Sequence, residues 1–375
     1  MTEQGPRDDA FMQHQRGTLT PEMRREKAEI LEIPVKQIDL ETAVSAADLV
    51  EAFSGASIQA RNVGMCAKVY ERMLTDPGRP TIYLGLAGPL IAAGLRKVIR
   101  DLVAAGMVDV IVSTGAILFQ DFYQSRGYNH FRGDPDRADD ARNADLMVDR
   151  IYDTYVDEEK FWECDCWIGR FADDLEPGRY STRSFLQALG RTIEDPHSIL
   201  GTAARLGVPV FCPAIADSSI GIGLTNHYRR CTEENREGVV IDVIRDNYEI
   251  TQTLVKSPAT AAAYIAGGVP KNYINDAVVM SYVFQHDTPG HRYAFQLTAD
   301  APHWGGLSGS TLKEATSWGK IDRKATHAMA FIEPSVSLPL VAAHVLGRQA
   351  AGNRSRLRFS WQEDRLLLIE SERQQ

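Results

Sequence analysis

Among the residues able to do covalent chemistry, Lys320 has the most suggestive setting. It closes the stretch Glu314-Ala315-Thr316-Ser317-Trp318-Gly319-Lys320, so a tryptophan and a glycine precede it and a carboxylate lies six residues upstream. A lysine is a nucleophile only when neutral, which calls for desolvation or a neighbouring cation. Trp318 can supply an apolar wall. Glu314 works in the opposite sense, because a nearby carboxylate stabilises an ammonium, and it suits proton shuttling or the anchoring of a cationic substrate. The plain alternative is an exposed, solvated lysine after a turn. The preceding run, Gly305-Gly306-Leu307-Ser308-Gly309-Ser310-Thr311, reads as a flexible loop whose backbone can approach a phosphate or a sugar.

The elements that must position these residues alternate between strands and helices. Helices are expected over 40–55 and 56–74, a buried strand over 81–86, a helix opened by Gly88-Pro89 and running to about Ala105, and a strand over 108–113. Gly85 and Thr114-Gly115 end the two strands, where open α/β sheets bind ligands, although such glycines also simply punctuate turns. Residues 146–155 read as an amphipathic segment. Helices follow from Glu158 and over 184–190 and 198–206, with a strand over 208–212, a strand or helix entry over 238–242 and a helix over 244–255. Ala259 to Tyr264 reads as a turn, before a strand end at Ile265-Ala266-Gly267-Gly268. Strands over 293–297 and 328–332 and a helix over 338–346 complete the pattern. The alternation fits one doubly wound α/β domain over 31–346, with a mostly parallel sheet and helices on both faces. Residues 1–30 read as a polar arm and 347–375 as an appended tail.

The chain of 375 residues has 44% hydrophobic content, ample for a core, and a net charge of -9 without a basic block, which disfavours nucleic acid as a partner. Its five cysteines are odd in number and irregularly spaced, and Cys164-Asp165-Cys166 is not a usual zinc spacing. Reduced thiols and no metal are expected. There is no signal-peptide pattern and no apolar run of ~18 residues, so the expectation is a cytoplasmic protein without a membrane span.

Ser317-Trp318-Gly319-Lys320-Ile321, with Glu314-Ala315 and the Ser/Gly loop before it, resembles the catalytic segment of the deoxyhypusine synthase family. Ala266-Gly267-Gly268-Val269-Pro270-Lys271, Tyr83-Leu84-Gly85, Val110-Ile111-Val112-Ser113-Thr114-Gly115 and Phe211-Cys212-Pro213-Ala214 are similar to further family segments, and Arg150-Ile151-Tyr152-Asp153-Thr154 also resembles it. The resemblance runs from about Ile33 to Leu346. It implies a Rossmann-like homotetramer with sites at the interface of paired subunits, NAD as hydride carrier, and a lysine imine with an aminobutyl unit taken from spermidine. By position, Lys320 is the imine lysine, Trp318 packs on the amine chain and Glu314 is a substrate-side carboxylate. Gly88, Thr114, Gly115, Asp217, Gly267, Gly268, Ser308, Gly309 and Glu333 fall on the cofactor side, and Asn272 and Asp276 on the substrate side. No Gly-x-Gly-x-x-Gly is present, so NAD rests on the resemblance alone.

The departures bear on substrate. Where eukaryotic members carry a His-His pair this chain has Asn272-Tyr273, and two aspartate positions hold Ile222 and Leu307. A family glutamate becomes Gln120, or Asp121 if one residue is gapped. Asp121, Asp276 and Asp300 remain as compensating acids, and His130, His227, His286, His291 and His303 as substitute bases. The pattern is most similar to the bacterial deoxyhypusine-synthase-like proteins, which implies an aminobutyl transferase acting on a small polyamine acceptor with a homospermidine-type product. The alternatives are a non-catalytic NAD- or polyamine-binding relative, a deoxyhypusine synthase modifying a translation-factor lysine, and an ordinary dehydrogenase.

Overall fold

The computed structural model describes residues 19–352 and 354–372. Six parallel strands, β1 (Thr81–Leu86), β2 (Val110–Ser113), β3 (Val210–Phe211), β4 (Thr260–Ile265), β5 (His291–Thr298) and β6 (Ile321–Phe331), form one sheet. Its order is β3-β2-β1-β4-β5-β6. The chain steps outward from β1 to β3 and then restarts on the other side with β4. The order therefore reverses between β1 and β4, and a crevice opens at their carboxyl ends. Strands β1, β2 and β4 are buried along their whole length, as a parallel sheet covered on both faces requires.

Besides a short helix over Asp140–Asp145, the helices are α1 (Pro21–Ile30), α2 (Ala46–Phe53), α3 (Ile58–Thr75), α4 (Arg96–Ala104), α5 (Gly115–Ser125), α6 (Glu158–Asp173), α7 (Thr182–Arg191), α8 (Ile199–Leu206), α9 (Ser219–Glu233), α10 (Val243–Val255), α11 (Gly268–Val283), α12 (Leu312–Ser317) and α13 (Pro334–Gly347). One core joins Tyr70 and Met73 of α3, Ile99 of α4, Phe119 of α5 and Val341 of α13 to Ile82 and Leu84. The other joins Ile250 and Leu254 of α10 and Ile274 and Val278 of α11 to Tyr83, Val110 and Tyr264. Tyr83 and Leu84 are adjacent in β1 and point to opposite faces, so the two cores lie on the two sides of the sheet. The doubly wound expectation holds.

Several local expectations fail for identifiable reasons. The helix expected over 40–55 begins at Ala46, because Ser45 and Asp48 form a capping box there, and residues 40–44 stay outside it. The helix expected from Gly88 begins only at Arg96, since Gly94 takes φ +84 and interrupts it. Residues 146–155 supply two antiparallel strands, Val148–Ile151 and Thr154–Asp157, turned at Tyr152. The turn expected over 259–264 is the central strand β4. The strand expected over 328–332, β6, starts already at Ile321.

Of the expected amino-terminal arm, residues 1–18 lie outside the described residues, and α1 buries none of its side chains. At the other end, β7 (Arg356–Gln362) and β8 (Arg365–Glu372) form an antiparallel hairpin. Trp361 lies 4.0 Å from the Arg183 guanidinium, and Gln252 bonds the backbone of Asp364 and Leu366. Asp109 ties the segment before the hairpin to the sheet. Its carboxylate accepts from Arg79 at 2.7 and 2.8 Å, from Arg354 at 2.6 Å and from the Ile82 amide at 2.8 Å. Among the described residues no helix is long and apolar enough to cross a membrane.

Candidate active site

The stretch that carries Lys320 is a self-capped helix. Thr311 and Glu314 form the capping box that starts α12. At its other end Gly319 takes φ +71, its amide bonds Thr316 O, and the Lys320 amide reaches Ala315 O at 3.2 Å. This pair of bonds is a Schellman motif, in which the residue after the cap must be left-handed, hence glycine. The next carbonyl, of Lys320, accepts from His291 N at 3.0 Å, and β6 begins. Tryptophan, glycine and lysine are thus helix cap, left-handed turn and strand entry.

Lys320 Nζ lies 3.0 Å from Asp276 Oδ1 and donates to Asn272 Oδ1 at 3.3 Å. Asn272 in turn donates to Asp276 Oδ2 at 2.8 Å. Asn272 and Asp276 are four apart on α11, so they share a face, and the three side chains close a ring. The Trp318 ring centroid is 5.5 Å from Lys320 Nζ. A cavity of about 270 Å³ is lined by Lys320, Trp318, Glu314, Lys271, Asn272 and Leu307, among others.

Lys271 is the second lysine of this cavity and is almost fully buried. Its Nζ donates to Leu307 O at 3.2 Å, to Ser310 Oγ at 3.0 Å and to Ser310 O, which fills its three donor positions. Gln296 bonds Ala266 O and Ser308 O, each at 2.7 Å, and Gly268 N donates to Ser308 Oγ at 2.9 Å. The loop expected to be flexible is therefore tied to β5 and α11. Burial lowers the Lys271 ammonium from 10.5 to about 8, with the charge of Lys320 acting in the same direction and Glu314 and Asp300 against. The unfolded chain thus holds this proton more tightly than the folded one, and stability attributable to Lys271 rises as pH climbs from about 8 to 10.5. In urea melts across that window, wild type gains roughly 3 kcal/mol relative to Lys271→Met.

The other candidates fall in separate places. Gly88, with φ +84, and Gly267-Gly268 lie at the carboxyl ends of β1 and β4, on the two sides of the crevice. Ala266 between them is left-handed at φ 59, and a Cβ on Gly88 would come within 3.9 Å of its methyl. Thr114-Gly115 starts α5, and Gly115 packs so closely on Ser218 that a Cβ would lie 2.3 Å from its hydroxyl. α5 has no side-chain cap, α11 has the Ser308 hydroxyl on its first amide, and Gln296 Oε1 is buried without a partner. The uncapped start of α5 after β2, and glycines at the strand-order reversal between β1 and β4, suit a ligand that carries phosphates. Asp217 is exposed just before α9, and Glu333 caps α13 through the Ser335 amide at 2.7 Å. Ser308 is engaged by Gly268, and Gly309 packs against Ala301 O.

Asp121 is a structural residue. It pairs with Arg96 at 2.7 Å and caps α8 through Ser198, Ile199 and Leu200. Gln120 is buried beside it. Leu307 lines the cavity and Ile222 does not. None of the five histidines lines it either. His291 is buried and His130 half-buried, and desolvation holds each down to about 4, while His227 is fixed between Asp173 and Val239 N. Sequence reasoning missed the closeness of Asp276 to Lys320, which the four-residue spacing from Asn272 would have shown had α11 been recognised as a helix.

A family model for deoxyhypusine synthase matches residues 48–345. The chain belongs to the deoxyhypusine synthase family. Among its relatives, the deoxyhypusine synthase-like protein of Elusimicrobium minutum is 40% identical over 325 residues, covering 85% of this chain and 85% of that one. The deoxyhypusine synthase-like protein of Chlorobaculum parvum is 39% identical over 345 residues, covering 90% and 97%. The crystal structure of a "putative deoxyhypusine synthase from Entamoeba histolytica" superposes with a TM-score of 0.56 at 19% identity, covering 84% of this chain and 97% of that one, and shares the fold. Members of the deoxyhypusine synthase family are transferases of aminobutyl groups, and the bacterial synthase-like proteins are this chain's near relatives.

Proposed function

We propose that the chain moves an aminobutyl group from spermidine or a related amine, through an imine on Lys320, to a small free amine such as putrescine or agmatine. The observation that carries this reading is the placement of Lys320 Nζ in a cavity, between the Trp318 ring and the Asn272–Asp276 pair. A single lysine nitrogen that can form a carbon–nitrogen double bond is what group transfer between amines needs. Trp318 offers its face to a methylene chain, and Asp276 and Glu314 offer charge to ammonium ends. Leu307, standing on the cavity wall where an acid would grip a longer polyamine, favours a less charged acceptor.

NAD fits the crevice between β1 and β4. Gly88, Thr114-Gly115 and Gly267-Gly268 would hold it, with Asp217 beside α9, and when bound it supplies the hydride chemistry that makes and later reduces the imine. The exposed stripe of α11 supports an oligomer with sites at the subunit interface. Val269, Asn272, Asp276, Val279 and Val283 share one face, and all three valines are exposed. Light scattering at micromolar concentration should give a dimer or tetramer, and a monomer would remove this support.

The functional test offers NAD with labelled spermidine alone and with each of three acceptors: putrescine, agmatine, and a lysine-bearing translation-factor domain. Borohydride trapping should place label on Lys320, and mass spectrometry should find the aminobutyl unit on the small amines. Label on the protein domain and none on the small amines would restore the protein-modifying reading.

A further inference from the structure

The Lys320 reading leaves open which group moves protons in a cavity that no histidine lines. We propose that Asp276, aimed by Asn272, is the proton-transfer residue of this site. The inference rests on Lys320 forming an imine.

Asp276 Oδ1 is 3.0 Å from Lys320 Nζ, the reacting atom, so a proton can pass directly between them. Its other oxygen accepts from Asn272 Nδ2 at 2.8 Å, while Asn272 Oδ1 accepts from Lys320. The asparagine thus fixes both members of the pair without itself exchanging a proton. Asp276 has a side-chain exposure of 52% against 15% for Lys320, so the carboxylate is the more accessible member of the pair. Glu314, the carboxylate that lines the cavity, places one oxygen on the Thr311 amide at the start of α12, while Asp276 is the acid paired with the Lys320 nitrogen, and Lys271 has its donors filled by Leu307 and Ser310.

In the exchange, the ammonium of Lys320 gives a proton to the Asp276 carboxylate, and the freed nitrogen attacks the imine carbon of the donor. Asp276 delivers that proton to the donor nitrogen as the new carbon–nitrogen bond forms. It then takes a second proton from the Lys320 nitrogen and delivers it to the departing nitrogen as the old bond breaks. Lys320 nitrogen loses two protons, the departing nitrogen gains two, and charge is conserved.

The test avoids the dinucleotide. The protein is incubated with 1-pyrroline, a cyclic imine whose ring opens on transfer to a lysine, and adducts are trapped with cyanoborohydride and mapped. Wild type should be modified at Lys320, and Asp276→Asn should slow this ~100-fold. Asp276→Ser should be equally slow and recover with added formate, which a merely structural role would not allow. The defect should persist with butanal, which has no ammonium to bind. If Asp276→Asn labels Lys320 at the wild-type rate, or its defect vanishes with butanal, Asp276 is a binding group and the proposal falls while the imine reading stands. Absence of Lys320 labelling in wild type removes both.

Discussion

Arginine in place of Lys320 should abolish aminobutyl transfer, with turnover down by ~10³-fold or more and no adduct trapped by borohydride. Arginine keeps the positive charge, so the pairing with Asp276 is retained and the fold should be undisturbed. Its guanidinium stays protonated and has no free lone pair to attack a carbon. The crevice between β1 and β4 is built from other residues, so dinucleotide affinity measured by calorimetry should stay within about twofold, well under 1 kcal/mol. Substantial residual turnover would show that Lys320 is not the nucleophile and direct attention to Lys271, the other lysine of the cavity.

The largest expected loss of stability comes from the opposite end of the sheet. Asp109 is buried, and its burial alone would raise its pKa, yet Arg354 and Arg79 outweigh that and hold it at about 2, below the usual 3.8. Asp109→Ala removes the carboxylate that two guanidinium groups share, one of them almost fully buried. Breaking a buried pair in this way costs ~3–5 kcal/mol, to be read from urea melts at neutral pH. The same depression gives an acid signature. The contribution of Asp109 is complete above pH 3.8 and is lost as pH falls through about 2. The slope of wild-type stability in that window should therefore flatten in Asp109→Asn.

The alternation of strands and helices was readable because β1 and β2 are short apolar runs followed by helix starts. β4 was not, because Thr260-Ala261-Ala262-Ala263 has little strand propensity taken alone. Small residues suit it there, since it lies between β1 and β5 at the centre of the sheet. α11 escaped notice for a related reason. It packs on α10 and under Gly85, where a Cβ would meet Ile274 at 3.2 Å, and it also exposes valines on its outer face. Apolar residues therefore surround the whole helix and blur its period. At the site, Lys320 and Trp318 stood out through their local pattern. The ring with Asn272 and Asp276 did not, because it joins residues about fifty apart through a helix that had not been recognised. Asp121 misled as a compensating acid, since nothing in its neighbourhood announces that it caps α8 from 77 residues away.

The Schellman turn at Gly319 has a consequence for how this protein can change. It locks the reactive nitrogen to the main chain, because Lys320 bonds α12 through its amide and β5 through its carbonyl. An inserted or deleted residue between Trp318 and Ile321 would swing the nitrogen out of reach of Asp276. The neighbouring wall, Gly305 to Ser310, is held by hydrogen bonds to Lys271, Gln296 and Gly268. The two Lys271 bonds to main-chain carbonyls do not depend on which side chains the wall presents. Reactivity and choice of amine are thus anchored separately. Lineages can exchange the residue at Leu307, and with it the preferred acceptor, while the bond-making nitrogen keeps its address.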